Sequence, residues 1–346
     1  MGRTSPTKVT IPVSQNCLRV MSDVSDTSAD LLNCRQQFIT KFPRHRKIVA
    51  TSPVGTPWTD QILSIEWAHD RSRKDIVKSV SIVIPAYNEE DTILPCLEAC
   101  ISQTVAAHEI IVVNNKSTDR TVDIVREIQS LYPEAPIRLI EQADSQGITP
   151  TRNKGFDAAT GDIIGRIDSD SIVEPTWVEE TAKAFDDPTV DAITGPVIYY
   201  DMPFRRFGKI ADDTLRKAMF KLARDYKFLF GSNMALSRNA WLAVRDETCA
   251  DEDDLMHEDL DLAVHVKDAG LNIVYCSKMI AGMSGRRMDD SPSDIVSYLG
   301  RYDRTYNHHG IPDRLLRVPA AVFLALYPVA KTMHWGKRLS KAIRSS

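Results

Sequence analysis

Hydrophobic positions fall into two patterns along the chain. From residue 80 onward, short runs of β-branched residues alternate with longer segments whose apolar positions recur every three or four residues. Residues 80–84 (VSIVI) are a short run closed by Pro85, as expected of a strand buried on both faces. Residues 109–113 (EIIVV), 137–141 and 162–167 repeat the pattern. Between them the period changes to that of a helix over 92–102, 119–131 and 149–159. Glu89, Glu90 and Asp91 stand at the start of the first of these helices, where the helix dipole favours negative charge. Strands alternating with helices imply right-handed βαβ units, hence an α/β fold with a mostly parallel sheet flanked by helices.

After Asp170 the alternation loosens. Helices are expected over 174–185, 207–228 and 260–269, the last stopped by Gly270, and strands over 190–196, 233–237 and 272–276. The ends of the chain read differently. Residues 1–75 are rich in Ser, Thr, Asp and Pro with weak periodicity, so a poorly ordered or loosely packed leader is expected there. Residues 76–310 carry the α/β domain. Residues 311–346 hold a 13-residue apolar run, 318–330, within a stretch from Arg314 that has seven Lys and Arg and no Asp or Glu. An apolar face with cationic flanks suits an amphipathic helical tail lying on an anionic membrane surface, and equally a helix docked on its own domain.

Composition narrows the partners. With 43 Lys and Arg against 47 Asp and Glu, the net charge of −4 argues against nucleic acid. Six scattered cysteines, with no CxxC pair, are expected to be reduced thiols of a cytoplasmic protein, peripheral on the inner face of the plasma membrane if the tail binds there. No stretch reaches the ~20 apolar residues of a membrane span.

In open α/β sheets ligands bind beyond the carboxyl ends of the strands. Polar tips follow three of them: Pro85-Ala86-Tyr87-Asn88-Glu89-Glu90, Asn114-Asn115-Lys116-Ser117-Thr118-Asp119 and Asp168-Ser169-Asp170. Neither GxGxxG nor GxxxxGK[ST] occurs, which disfavours dinucleotide and P-loop enzymes. Two carboxylates flanking a small residue at a strand end can face one hard cation, although D-x-D also occurs as a solvated turn. In a second acidic cluster, His257-Glu258-Asp259-Leu260-Asp261-Leu262, a carboxylate opening a helix could serve as general base or merely cap the helix. His308 and His309 are candidates for a further metal ligand, with a polar loop after Tyr306 as the simpler expectation.

In order along the chain, IPAYNEE, VVNNKSTDRT, TPTRNKGFDAATGDII, IDSDS, GSNMALSR and HEDLDL resemble the family-2 glycosyltransferases of GT-A fold, over about residues 80–310. The resemblance implies a Rossmann-like sheet with an acceptor-side subdomain, and an inverting transfer from a UDP- or GDP-linked sugar to an acceptor hydroxyl, such as a cell-envelope glycolipid or polysaccharide precursor. It implies that Pro85, Tyr87 and Glu89 line the nucleotide pocket. Asn114 stands where such enzymes usually have an Asp that accepts a hydrogen bond from the base. Asp119 would order that loop, and Arg152 would reach the base or the phosphates. By the same resemblance, Asp168 lies near the ribose and Asp170 is the firmer ligand of a divalent metal, Mg²⁺ or Mn²⁺. Glu258 and Asp259 match the family's E-D pair, with Asp259 the catalytic base. Gly231, Ser232 and Asn233 would border the acceptor cleft, and Arg286 and Arg287 would contact the diphosphate. The alternatives are a sugar nucleotidyltransferase and a non-catalytic nucleotide-sugar-binding subunit, the latter motivated by Asn114.

Overall fold

The central strand, β1 (Val80–Ala86), is buried along its whole length, and its side chains divide by the two-residue period of a strand. Val80, Ile82, Ile84 and Ala86 face one hydrophobic core and Val83 the other. In this computed structural model the described residues are 78–202, 205–223, 225–251 and 253–311, with 9–11, 63–65 and scattered positions between 321 and 335. The first core is closed by α1 (Ile93–Ile101), whose Ile93, Cys96, Leu97 and Cys100 share one helix face, and by α2 (Thr121–Leu131) through Val125 and Ile128. Trp177 and Val178 of α4 (Trp177–Ala184) complete it. On the second face, α3 (Ile148–Ala158) sets Phe156 edge-on to Trp241 of α6 (Arg238–Val244), with ring centroids 5.1 Å apart. Leu262, Ala263 and Val266 of α7 (Glu258–Asp268) pack into the same core.

Six further strands join β1: β2 (Glu109–Asn114), β3 (Ile137–Glu141), β4 (Ile163–Ile167), β6 (Ala192–Thr194), β8 (Asn233–Ser237) and β9 (Ile273–Tyr275). The seven are ordered β9-β6-β8-β4-β1-β2-β3. All neighbours are parallel except β8, which runs antiparallel to both β4 and β6. The fold is the expected α/β sheet flanked by helices. Register aligns the carboxyl ends of three strands, pairing Ala86 with Asn114 and Asn114 with Glu141.

Three elements of two or three residues have no counterpart in the sequence pattern. They are β5 (Ile172–Val173), β7 (Val197–Tyr199) and β10 (Ala281–Met283), which form a second sheet, β5-β10-β7. Helix α5 (Arg205–Leu222) ends before the expected 228. Residues 308–309 are not a loop: α8 (Pro292–His308) ends on His308, and His309 caps it. Its start is marked by a capping box in which Ser291 and Asp294 satisfy each other's backbone N–H.

The expected leader lies mostly outside the described residues; two three-residue strands there, Val9–Ile11 and Leu63–Ile65, pair antiparallel. Residues 1–76 form a unit separate from 77–346. The expected membrane-binding tail also lies mostly outside them. At its described positions the chain is helical, and Tyr327 packs with Met288, Ile295 and Leu299. The Tyr327 hydroxyl and Lys331 Nζ both donate to the Asp290 carbonyl, at 2.8 and 2.7 Å. Among the described residues no helix is long and apolar enough to cross a membrane.

A buried carboxylate ties the far end of the sheet together. Glu109 accepts hydrogen bonds from Ser81 Oγ and from both the N–H and hydroxyl of Thr160, and pairs with Arg138. Burial works to raise this carboxyl, but the bonds from Thr160, Arg138 and Ser81 outweigh it and lower it to about 2. Arg138 is half exposed, so solvent screens that arm. The stabilisation is complete above the ordinary glutamate pKa and is lost as pH falls through the native one. Glu109→Gln is expected to lower unfolding free energy by ~2 kcal/mol at pH 7. In urea titrations the gap to wild type should close as pH drops from about 4.5 toward about 2. A gap that stays constant would show that ionisation of Glu109 contributes nothing.

Candidate active site

The loops after β1 and β2 are stitched together before any ligand arrives. Asn88, held at φ 52°, accepts from the Thr118 N–H at 2.8 Å, and its own N–H donates to Ser117 Oγ at 3.0 Å. Asp119 accepts from the N–H groups of Thr121 and Glu90, ordering the loop as expected. Tyr87 is half exposed at the tip, whereas Pro85 is buried inside β1 opposite Val113 and shapes the strand end rather than lining a surface. Asn114 differs from expectation. Strand register sets it beside Glu141, to which its amide donates at 2.6 Å, while its oxygen accepts from the Ser117 N–H at 3.1 Å. Both of its polar groups brace the loop.

The Asp168-Ser169-Asp170 triplet follows β4, as predicted from the end of an apolar strand. Asp170 is buried, and its carboxyl is raised to about 7, first by desolvation and then by the neighbouring Asp168 charge. Its charge partner is Arg286, whose Nε lies 3.0 Å from Asp170 Oδ2. The same guanidinium binds Glu89 through both terminal nitrogens, at 2.8 and 2.7 Å. Arg286 therefore joins the β1 loop to the aspartates. The loop that presents it is fastened by Asp201, which accepts from the Gly285 N–H at 2.8 Å and the Ser284 hydroxyl at 3.1 Å. Arg287 takes another course and lies over the Tyr298 ring, 3.8 Å from its centroid. Two closely spaced carboxylates, one raised by burial and by the other's charge and already facing a guanidinium, are a donor set of hard oxygens that fits a divalent cation such as Mg²⁺ or Mn²⁺.

The second acidic cluster opens α7 with His257 as its N-cap, so Glu258 and Asp259 both occupy the first turn. His257 is wedged edge-on between Tyr298 and Tyr302, and burial lowers its imidazole to about 4, leaving it neutral near pH 7. Asp259 accepts from the Gly231 N–H at 2.7 Å and from the Leu260 N–H at 2.9 Å, which fixes both carboxylate oxygens. Desolvation and the adjacent Glu258 charge raise its carboxyl to about 7, against the bond from Gly231 and the nearby Arg166. Burial alone would raise Glu258 as well, but Arg166 and Arg152 beside it prevail and hold it ionised.

Arg166 connects the two clusters. Buried in β4, it donates to Glu258 Oε1 at 2.5 Å and to Asp168 Oδ1 at 2.9 Å. No motif in the sequence marks it, although an arginine inside the apolar run IIGRI is a visible anomaly. Gly231 borders the same network: a Cβ there would collide with the Arg166 guanidinium, so only glycine fits between it and Asp259.

Two candidates are placed away from their expected roles. Arg152 is fully buried beneath α7 and donates to the Glu258 carbonyl; the second turn of α3 directs it there rather than toward the phosphates. Asn233 does not border an open cleft. It is fully buried, accepts from Trp177 Nε1 at 2.8 Å and donates to the carbonyls of Pro196 and Met279, at 2.8 and 2.7 Å. Its amide links the two sheets, because β8 begins where the second sheet packs. Ser232, between Gly231 and Asn233, is partly exposed.

Comparison with known proteins identifies the domain and its fold. Residues 81–242 match the family described as glycosyl transferase family 2. An uncharacterized glycosyltransferase, YibD of Escherichia coli strain K12, is 40% identical over 100 residues, 29% of this chain and 28% of that protein. The putative glycosyltransferase EpsH of Bacillus subtilis strain 168 is 35% identical over 137 residues, 40% of this chain and 38% of that protein. The chain thus spans well under half the length of either relative. Among solved structures, the mannosyltransferase PcManGT from Pyrobaculum calidifontis, in complex with GDP-Man and Mn²⁺, superimposes with a TM-score of 0.52 at 19% identity. That match covers 78% of this chain and 76% of the other, and shows the shared fold. Residues 81–242, which carry the parallel half of the sheet and the Asp168-Ser169-Asp170 triplet, are thus a domain of glycosyl transferase family 2.

Proposed function

We propose that the chain transfers a glycosyl group from a UDP- or GDP-linked sugar to a hydroxyl of a glycan or glycolipid acceptor, with inversion at the anomeric carbon. The observation that carries this reading is the Arg166 bridge. It ties Glu258, next to the base Asp259, to Asp168 of the cation-binding pair, so the base and the leaving-group site share one buried network. Asp168 and Asp170 would hold Mg²⁺ or Mn²⁺, whose charge offsets that developing on the diphosphate. Asp259 takes the proton of the acceptor hydroxyl, whose oxygen then attacks from the face opposite the diphosphate. A carboxyl near pKa 7 suits a base working at neutral pH. Its two backbone bonds hold it in position throughout. Arg286, already at the rim beside Asp170, turns its guanidinium toward the phosphate oxygens. Glu89 anchors it from the other side. One displacement suffices, without a covalent intermediate.

Thermal unfolding with Mn²⁺ and each nucleotide tests the donor side. A ligand at 100 times its dissociation constant adds about 2.7 kcal/mol to stability. The melting temperature should rise with UDP or with GDP, more so when Mn²⁺ is present, and Asp170→Asn should remove the metal-dependent part. The structural neighbour holds GDP-Man and Mn²⁺, which makes GDP the first nucleotide to try. Absence of a shift with both nucleotides, metal included, would overturn the donor assignment.

A further inference from the structure

Behind the base-bearing turn of α7, on another face of the helix, lies a second group of metal-ligating side chains. We infer that Cys249, Asp261, His265 and His309 form a structural Zn²⁺ site that fastens α7 to the end of α8 and to the segment after α6. The four ligand atoms all lie within 4.8 Å of one another. Asp261 Oδ1 is 2.9 Å from His309 Nε2 and 3.3 Å from His265 Nε2, and Cys249 Sγ is 3.9 Å from the same His265 nitrogen. Ligands bound to zinc at ~2.0–2.3 Å in a tetrahedron stand ~3.3–3.8 Å apart, so these separations need only small side-chain adjustments.

Asp261 and His265 are four residues apart on α7 and therefore share a helix face. Cys249 comes from the segment after α6, where its N–H already donates to Asp261 Oδ2 at 3.1 Å. His309 comes from the cap of α8. Asp261 is almost completely buried, and among the described residues its ion-pair partners are the two imidazoles, with the buried Arg152 charge farther away. A buried carboxylate requires a compensating positive charge. Two Nε2 atoms converge on one of its oxygens with a thiol beside them, and a cation at their centre supplies that charge.

The donor set also selects the metal. A thiolate and two imidazoles favour zinc over the hard cations that suit Asp168 and Asp170. Four protein ligands leave no open position, which marks a structural rather than a catalytic metal. His309 was singled out in the sequence beside His308, but its partners sit 44 to 60 positions upstream, at no recognised zinc-binding spacing.

The test uses the full chain, purified without chelators. Elemental analysis should find about one zinc per chain, reduced at least tenfold in His265→Ala and His309→Ala and unchanged in Asp170→Asn. Replacing zinc by Co²⁺ should give the intense visible bands of a tetrahedral site with a thiolate charge-transfer band, and Cys249→Ser should abolish the latter. Should a variant fail to fold, the Co²⁺ spectrum of the unaltered chain still decides. The site is overturned if the unaltered chain holds no zinc and gives neither Co²⁺ bands nor a higher melting temperature on adding Zn²⁺. It is also overturned if zinc persists undiminished in both histidine variants, or disappears in Asp170→Asn.

Discussion

Replacing Asp259 with Asn is expected to lower kcat for glycosyl transfer by roughly 10²–10⁴-fold, the range of general-base catalysis. Nucleotide-dependent stabilisation should remain, because the donor-side carboxylates are untouched. The expectation has a pH signature. The Asp259 carboxyl is raised to about 7, so in wild type, with Mn²⁺ saturating to keep Asp170 ionised, kcat/KM should fall tenfold per pH unit below that value as the base takes up a proton. Glu258 cannot take that proton in its place, since Arg166 and Arg152 hold it ionised. In Asp259→Asn the acid limb should disappear along with most of the rate. A variant that keeps wild-type turnover, or keeps the limb, would move the base elsewhere.

Removing Arg166 should have the largest effect on stability. Arg166→Met takes from Glu258 its hydrogen-bonded ion-pair partner, leaving only the more distant Arg152 charge, and takes from Asp168 its inner cation. Breaking a buried ion pair from one side costs about 3–5 kcal/mol. Urea titration should show a loss of that size, with transfer activity abolished. The double variant Arg166→Met, Glu258→Leu should regain much of the stability and none of the activity, since an apolar pair of similar volume is often as stable as the ions it replaces. A loss under ~1 kcal/mol in the single variant would mean that water reaches the pair and screens it.

The parallel half of the sheet was legible from residues 80–167 because its strands are β-branched runs and its helices are amphipathic. The acidic clusters were legible for a related reason: carboxylates closing an apolar strand are costly unless they have partners, and carboxylates opening a helix meet its positive end. Side-chain direction was not legible. Arg152 and Asn114 were expected to face ligand, yet one lies beneath α7 and the other is bonded to Glu141 across a strand register that no local pattern encodes. Asn233 likewise proved to be a hub between the sheets, through carbonyls of Pro196 and Met279 far from it in sequence. Arg166 was missed because a lone arginine in a strand gains its meaning only from a partner 92 residues away.

The reversed direction of β8 has a consequence for how the chain tolerates change in length. Parallel strands deliver their carboxyl ends to the ligand rim, so the loops that follow them carry the chemistry. An antiparallel strand inverts the rule. Asn233, the first residue of β8, lies opposite Ile167 at the rim, while its last residue, Ser237, lies opposite Ile163 at the far end. Extra residues inserted before β8, ahead of Gly231, would extend the rim beside Asp259, where the proposed acceptor would enter. At the remote end no connection exists to lengthen, because Ser237 is itself the N-cap of α6 and accepts from the Ala240 N–H at 3.1 Å. Changes in length at this strand are thus confined to the connection that enters it, with the sheet itself unaltered.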